Sequence, residues 1–283
     1  MSQDYWCVIV TRDGAETIGA TLDSIIHQSI PPKFIVLVND GSTDDTTRIV
    51  QSKALRGMYV LNTGSRIRDI RKVPRLLNLA LNFARNEQNG LPKTDYVMVS
   101  GDDNELSLNY AERLLGRMES DPKLVVTSGE WLTSRVRRGD QMPHGGGRFV
   151  KTGYMSEIGG QYPIAYGWET WLLYKALELG YKVRLYPDAR YEHLRPFQPP
   201  NLFGWGRAMY SLGFPSYFVL LRFLVNLFSS ARGTQSRQAA VTMLVGFVSA
   251  ELNPSALKGM IIEDQGLKTF VRYFCTSRLT RLI

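Results

Sequence analysis

Between Tyr96 and Asn104 the chain reads Tyr-Val-Met-Val-Ser-Gly-Asp-Asp-Asn, an uncharged apolar run that ends in two adjacent carboxylates, Asp102 and Asp103. Such a run suits a strand covered on both faces. In open α/β sheets the carboxyl ends of strands open onto the ligand crevice. Two Asp side chains there repel each other unless protons or a cation neutralise them. A hard divalent ion that also grips a substrate diphosphate would do so, because magnesium-type sites combine one or two carboxylates with phosphate oxygens. Gly-Asp-Asp-Asn is also good turn chemistry, and these residues alone leave both readings open.

The elements that would position these carboxylates are legible on either side. Residues 5–11 read as a first buried strand and 17–28 as a helix, with Ile18, Leu22, Ile25 and Ile26 at helical spacing. A second buried strand at 34–38 follows the break at Pro31-Pro32. Ser42 and Asp45 are spaced as a capping box for the next helix. The alternation continues with a strand at 58–61, a helix at 73–86, the strand at 96, a helix at 107–119 and a strand at 124–127. Residues 134–153, with Gly145-Gly146-Gly147, read as a mobile loop. A helix at 167–179 and a strand at 182–186 finish a first domain, 1–193. This pattern predicts an α/β fold, a mostly parallel sheet with helices on both faces.

Residues 194–283 differ in texture. The chain carries a net charge of +8, and this segment sets eight Arg and two Lys against Glu251, Glu263 and Asp264, a net +7. A basic region takes nucleic acid or an anionic membrane surface. Here the arginines interleave with apolar runs at 214–228 and 238–250, which favours the membrane, so no nucleic acid is expected. Both runs fall short of the roughly 18 to 20 residues that span a bilayer. The prediction is a basic, apolar helical region lying on the membrane, with one short transmembrane hairpin as an option; a helical subdomain packed on the sheet is the alternative. Cys7 and Cys275 are the only cysteines, which implies no disulfide framework and a reducing compartment. The opening Met-Ser-Gln-Asp lacks a basic stretch, so no signal peptide is expected.

Taken in order, Val10-Thr11-Arg12-Asp13, Val38-Asn39-Asp40-Gly41-Ser42, Gly101-Asp102-Asp103, Gly167-Trp168-Glu169-Thr170 and Tyr191-Glu192-His193 resemble the family 2 glycosyltransferases with a GT-A (Rossmann-like) fold. Asn-Asp-Gly-Ser-Thr-Asp-Asp-Thr at 39–46 is the closest single match; Ile158-Gly159-Gly160 and Leu179-Gly180-Tyr181-Lys182 add to it. The resemblance implies that Thr11 and Asp13 line a nucleotide pocket and that Asn39 and Asp40 hold the base and ribose. Lys72 falls where a basic contact to the diphosphate is common, or is a solvated helix-start lysine. Asp102 and Asp103 match an Asp-x-Asp metal motif whose first Asp is Gly101 here, and His193 would complete the site for Mn2+ or Mg2+. Glu169 stands where the family has its general base; the alternative is a surface carboxylate at a helix N-terminus. Trp168, Trp171 and Trp205 would shape the acceptor and sugar pocket. Trp205-Gly206-Arg207 resembles, in altered order and without its Gln, the Gln-x-x-Arg-Trp element of cellulose-synthase-like members. Arg207 would then steady the diphosphate, or pair with an anionic lipid.

The resemblance thus implies a metal-dependent, inverting glycosyltransferase acting on a lipid-linked (polyprenyl or dolichyl) acceptor at the cytoplasmic face of the cell membrane. The whole resembles archaeal-type mannosyltransferases of lipid-linked glycans, including N-glycosylation precursors, and minimal cellulose-synthase-like enzymes. GDP-mannose is the expected donor. A polyprenyl-phosphate glycosyltransferase is the alternative within the class. A sugar nucleotidyltransferase would share the sheet but want a basic Gly-rich loop where Asp13-Gly14-Ala15-Glu16 is acidic.

Overall fold

An uncharged apolar strand suits burial on both faces, and three of the four strands without a charged residue take it. β1 (Tyr5–Thr11), β2 (Ile35–Asn39) and β4 (Tyr96–Ser100) are buried almost throughout. This is seen in a computed structural model that describes residues 3–53, 57–64, 70–86, 88, 90–132, 142–196, 201–228 and 233–280. With β3 (Met58–Asn62), β5 (Asn104–Leu106), β6 (Leu124–Trp131), β7 (Arg148–Lys151) and β8 (Lys182–His193), they form one sheet in the order β3-β2-β1-β4-β7-β6-β8-β5.

The expected mostly parallel sheet is a mixed one. Strands β1 to β4 are parallel, but β7 runs antiparallel to both β4 and β6, and β5 antiparallel to β8. The difference comes from strands that the sequence hides. β7 lies in the stretch read as a loop, whose residues 134–141 fall outside the described ones. β8 continues to His193 past Pro187, because the register with β6 jumps there, from Gly129↔Tyr186 to Glu130↔Arg190. Pro lacks the N–H a ladder needs, and a bulge removes that need.

Helices cover both faces. From α1 (Ile18–Ile26), α2 (Thr46–Ser52) and α4 (Tyr110–Ser120), residues Ile18, Leu22, Val50, Leu114 and Leu115 join one buried core with Cys7, Ile9, Leu37 and Met98. α3 (Lys72–Arg85) packs on β1 and β2 through residues outside that core, and α5 (Thr152–Glu157) follows β7. The capping box does not form: α2 begins after Asp45, whose side chain caps nothing, and it is Asp44 that accepts from the Thr46 amide.

The chain divides into two compact units, Met1–Tyr162 with Leu179–Phe197, and Pro163–Glu178 with Gln198–Ile283. The second is helical: α6 (Trp168–Glu178), α7 (Leu202–Ser211), α8 (Ser216–Phe228), α9 (Gly233–Leu252), a 3-10 turn and α10 (Gln265–Thr280). α7 and α9 cross in backbone contact, for a Cβ on Gly206 would sit 2.0 Å from the Met243 carbonyl and one on Gly246 2.2 Å from that of Phe203. Tyr217, Leu220, Leu221, Leu224 and Val225 make an exposed stripe along α8 at helical spacing; Val241, Val245, Val248 and Leu252 are exposed on α9. Among the described residues no helix is long and apolar enough to cross a membrane.

Candidate active site

The parallel register Thr11↔Asn39 and Ile9↔Ser100 brings the carboxyl ends of β1, β2 and β4 to one rim. The chain builds outward from β1 through β2 to β3, then returns to the other flank of β1 as β4. Strand order therefore reverses between β1 and β4, where open α/β sheets leave a crevice for ligand. Thr11 and Asp102 meet there, the Thr11 hydroxyl donating to Asp102 Oδ2 at 2.6 Å. Burial pushes the Asp102 carboxyl above its ordinary range, and Thr11 and Arg195 only partly offset it.

Asp103 is the more open of the two carboxylates. The β5–β8 pair sets Asn104 opposite His193, so that His193 Nδ1 lies 3.7 Å from Asp103 Oδ2. His193 holds the Asp103 carboxyl below its usual range. The imidazole is itself wedged edge-on by Trp131 and Tyr191, with ring centroids 4.7 and 5.4 Å away.

No group of three or more His, Cys, Asp or Glu among the described residues is placed to hold a metal. Asp103 and His193 converge, whereas Asp102 is engaged by Thr11 and Arg195. Two protein donors completed by phosphate oxygens are what a magnesium- or manganese-type site needs, so the pair fits an ion shared with a diphosphate.

The other residues of this rim are tied to one another. Asp40, 1% exposed, forms an ion pair with Lys72, lies 3.8 Å from Arg12 Nη1, and accepts from the Thr63 hydroxyl at 2.7 Å. Lys72 is thus neither solvated nor turned solely to a ligand. Asn39 donates to Thr47 and Asn62 and accepts from Ser42. Asp13, at φ 49°, is the one non-Gly residue of positive φ among the described residues. Such strain gathers where a loop is over-determined by its surroundings. Here Asp13 accepts from the Thr43 amide, which lowers its pKa, and its own amide donates to Ser42, while the Gly14 and Ala15 amides donate to Thr46 and Asp44. The loops after β1 and β2 are laced into one piece.

Glu169, Trp168, Trp171, Trp205 and Arg207 belong to the second unit. Glu169 occupies the first turn of α6 and is half-buried, as are Trp168 beside it and Trp205 on α7. Trp171 is 7% exposed, and it helps to hold the Asp264 carboxyl below its ordinary range. Arg207 lies over the Phe203 ring at 4.4 Å and donates to the Tyr166 hydroxyl at 3.1 Å. The sequence reading missed Arg195, which stands on Asp102. The signal that leads to it is register: once β8 is known to pair with β5, residues beyond His193 must run along Asp103 and Asp102.

Residues 6–179 match the family described as Glycosyl transferase family 2, and the chain belongs to that family. It is a glycosyltransferase with a GT-A fold. Among solved structures it is similar to mannosyltransferase PcManGT from Pyrobaculum calidifontis in complex with GDP-Man and Mn2+, at 16% identity and a TM-score of 0.58, over 98% of this chain and 86% of that one. It is also similar to residues 1–349 of S. aureus TarS, at 14% identity and 0.53, over 90% and 75%. A mycobacterial protein matches at 18% and 0.51, over 72% and 71%. At such identities the likeness is one of fold. No curated protein matches the chain.

Proposed function

We propose that this enzyme moves a hexose, with inversion, from a nucleoside-diphosphate sugar to a lipid-linked polyprenyl or dolichyl acceptor at the cytoplasmic face of a membrane. Mannose from GDP-mannose is the preferred donor. The observation that carries the reading is the pair Asp103–His193 at the reversal point of the sheet, beside Thr11 and Asp102. Asp103 and His193 would hold Mn2+ or Mg2+, which when bound offsets the charge that gathers on a departing diphosphate. Glu169 takes the proton of the acceptor hydroxyl, so an α-linked donor gives a β-linked product. The likeness to PcManGT supports the choice of GDP-mannose. The exposed apolar stripe of α8 and the net +7 of residues 194–283 support the membrane acceptor.

A transfer assay tests each part. GDP-mannose, UDP-glucose and UDP-GlcNAc are offered with Mn2+, with Mg2+ or with EDTA, and with either a polyprenyl-linked or a water-soluble acceptor. Expected is metal-dependent transfer from GDP-mannose to the lipid-linked acceptor, with the anomeric configuration inverted. Full activity in EDTA overturns the metal assignment, and equal use of the soluble acceptor overturns the lipid one. A retained configuration removes Glu169 as base.

A further inference from the structure

Past His193 the β5–β8 ladder takes one more step, the Leu194 amide donating to the Asp103 carbonyl at 2.8 Å. The next residue, Arg195, comes to rest on Asp102. Its Nη1 reaches Oδ1 and its Nη2 reaches Oδ2, each at 3.3 Å, and Nη2 also lies 3.4 Å from the Asp13 carbonyl. A guanidinium has five N–H donors in a rigid fork, and these contacts do not exhaust them. The Arg195 side chain remains 35% exposed, so part of the fork is open to solvent, whereas Asp102 beneath it is 11% exposed.

We propose that Arg195 is a diphosphate-binding residue of the donor site, and that Asp102 is the positioning residue that aims it rather than a metal ligand. The assignment rests on the nucleoside-diphosphate-sugar reading given above. Charge favours it. If both adjacent carboxylates faced an ion, they would cancel its charge before any phosphate arrived. With Arg195 on Asp102, an ion on Asp103 leaves the site positive toward a diphosphate. Geometry favours it as well: a guanidinium held by a carboxylate on one edge offers the other to phosphate oxygens two at a time, which an ammonium does not. Thr11 fixes the Asp102 carboxylate from behind, and Gly14 leaves it room.

Calorimetric titration with inorganic pyrophosphate and with GDP, in EDTA and in Mn2+, tests this. Wild type binds both in EDTA, and Arg195→Ala weakens both by about 10- to 100-fold. Arg195→Lys recovers part of the loss. Asp102→Asn, which keeps an acceptor for Thr11, weakens pyrophosphate severalfold. By paramagnetic titration it holds Mn2+ within about threefold of wild type, whereas Asp103→Asn loses it. Melting curves identify any variant that fails to fold; should Arg195→Ala do so, Arg195→Lys and Asp102→Asn decide. Unchanged pyrophosphate affinity in the Arg195 variants overturns the assignment, as does loss of Mn2+ by Asp102→Asn equal to that by Asp103→Asn. Failure of the wild type to bind GDP, UDP or pyrophosphate even with Mn2+ overturns the donor reading itself, and this assignment with it.

Discussion

His193 reaches Asp103 at 3.7 Å because β8 runs antiparallel to β5 with His193 opposite Asn104. Neither side chain is fully buried, at 27% and 26% exposed, so both can take a ligand without rearrangement of the core. Replacing either, as Asp103→Asn or His193→Ala, should lower Mn2+ affinity at least tenfold, in the range seen when metal-site partners are lost. Ligand that binds only the folded state raises its melting temperature. Mn2+ should therefore add to the protection that GDP alone gives wild type, and add nothing in these variants, as thermal shift with GDP in Mn2+ and in EDTA would show.

Gly14→Ala should disable donor binding while keeping the helices. A Cβ at this position would lie 2.4 Å from Asp102 Oδ2 and 2.6 Å from Thr11 Oγ1. The contact between those two residues has to open, at about 1 to 3 kcal/mol for an overpacked site. Circular dichroism should be near wild type, and GDP titration should show the loss. Wild-type GDP affinity in this variant would mean that the Thr11–Asp102 contact is not part of the donor site.

Glu169→Gln should keep donor and metal affinity but lower turnover about a hundredfold or more, the range for a general base. The amide retains the size and position of the carboxylate in the first turn of α6. Steady-state kinetics with saturating donor measure this, and unchanged kcat would exclude Glu169 from proton removal.

Asp264→Asn should weaken the second unit in a pH-dependent way. Burial pushes the Asp264 carboxyl up, but the Leu267 amide, Lys175 and the Trp171 indole outweigh it and hold it below the ordinary range. A carboxylate whose folded pKa is depressed adds stability above its unfolded pKa and loses it as pH falls through the folded one. The variant should be less stable by about 1 to 2 kcal/mol at pH 7. The gap should close as the pH falls through the lowered folded pKa, where wild type protonates too. Urea unfolding at the two pH values checks it.

Leu221→Glu with Leu224→Glu should reduce binding to anionic vesicles without loss of fold. Both side chains are exposed on the α8 stripe, at 42% and 38%. They insert into the interface if the membrane reading holds, and a buried charge there is costly. Wild-type binding should weaken with salt but not vanish, since apolar burial is not screened. Co-sedimentation with vesicles measures both effects, and equal binding by the double variant would remove α8 from the membrane contact.

Much of the parallel half of the sheet was legible because its strands are uncharged and its helices keep their apolar spacing. The ends of β1, β2 and β4 put Thr11, Asn39 and the paired carboxylates at one rim for that reason alone. Register carried the information that the sequence lacked. Pro187 read as the end of a strand, yet a bulge lets β8 continue to His193. β5 has only three residues, too few for any periodicity to show. Arg195 depends on both, so no local pattern marks it. The Lys72–Asp40 pair was missed for another reason, since a lysine at a helix start looks solvated until its partner from a distant strand is in place.

Arg195 follows Asp102 by 93 residues. Loop closure over such a separation must be offset before the contact stabilises anything, which makes it slow. A chain emerging from the ribosome N-terminus first can pair β1 to β4 while Asp102 and Asp103 still lack both the guanidinium and the imidazole. The contact between Arg195 and Asp102 therefore waits until the end of the first unit has been synthesised. A copy arrested before β8 is finished would leave Asp102 without the guanidinium that sits on it and Asp103 without its imidazole neighbour.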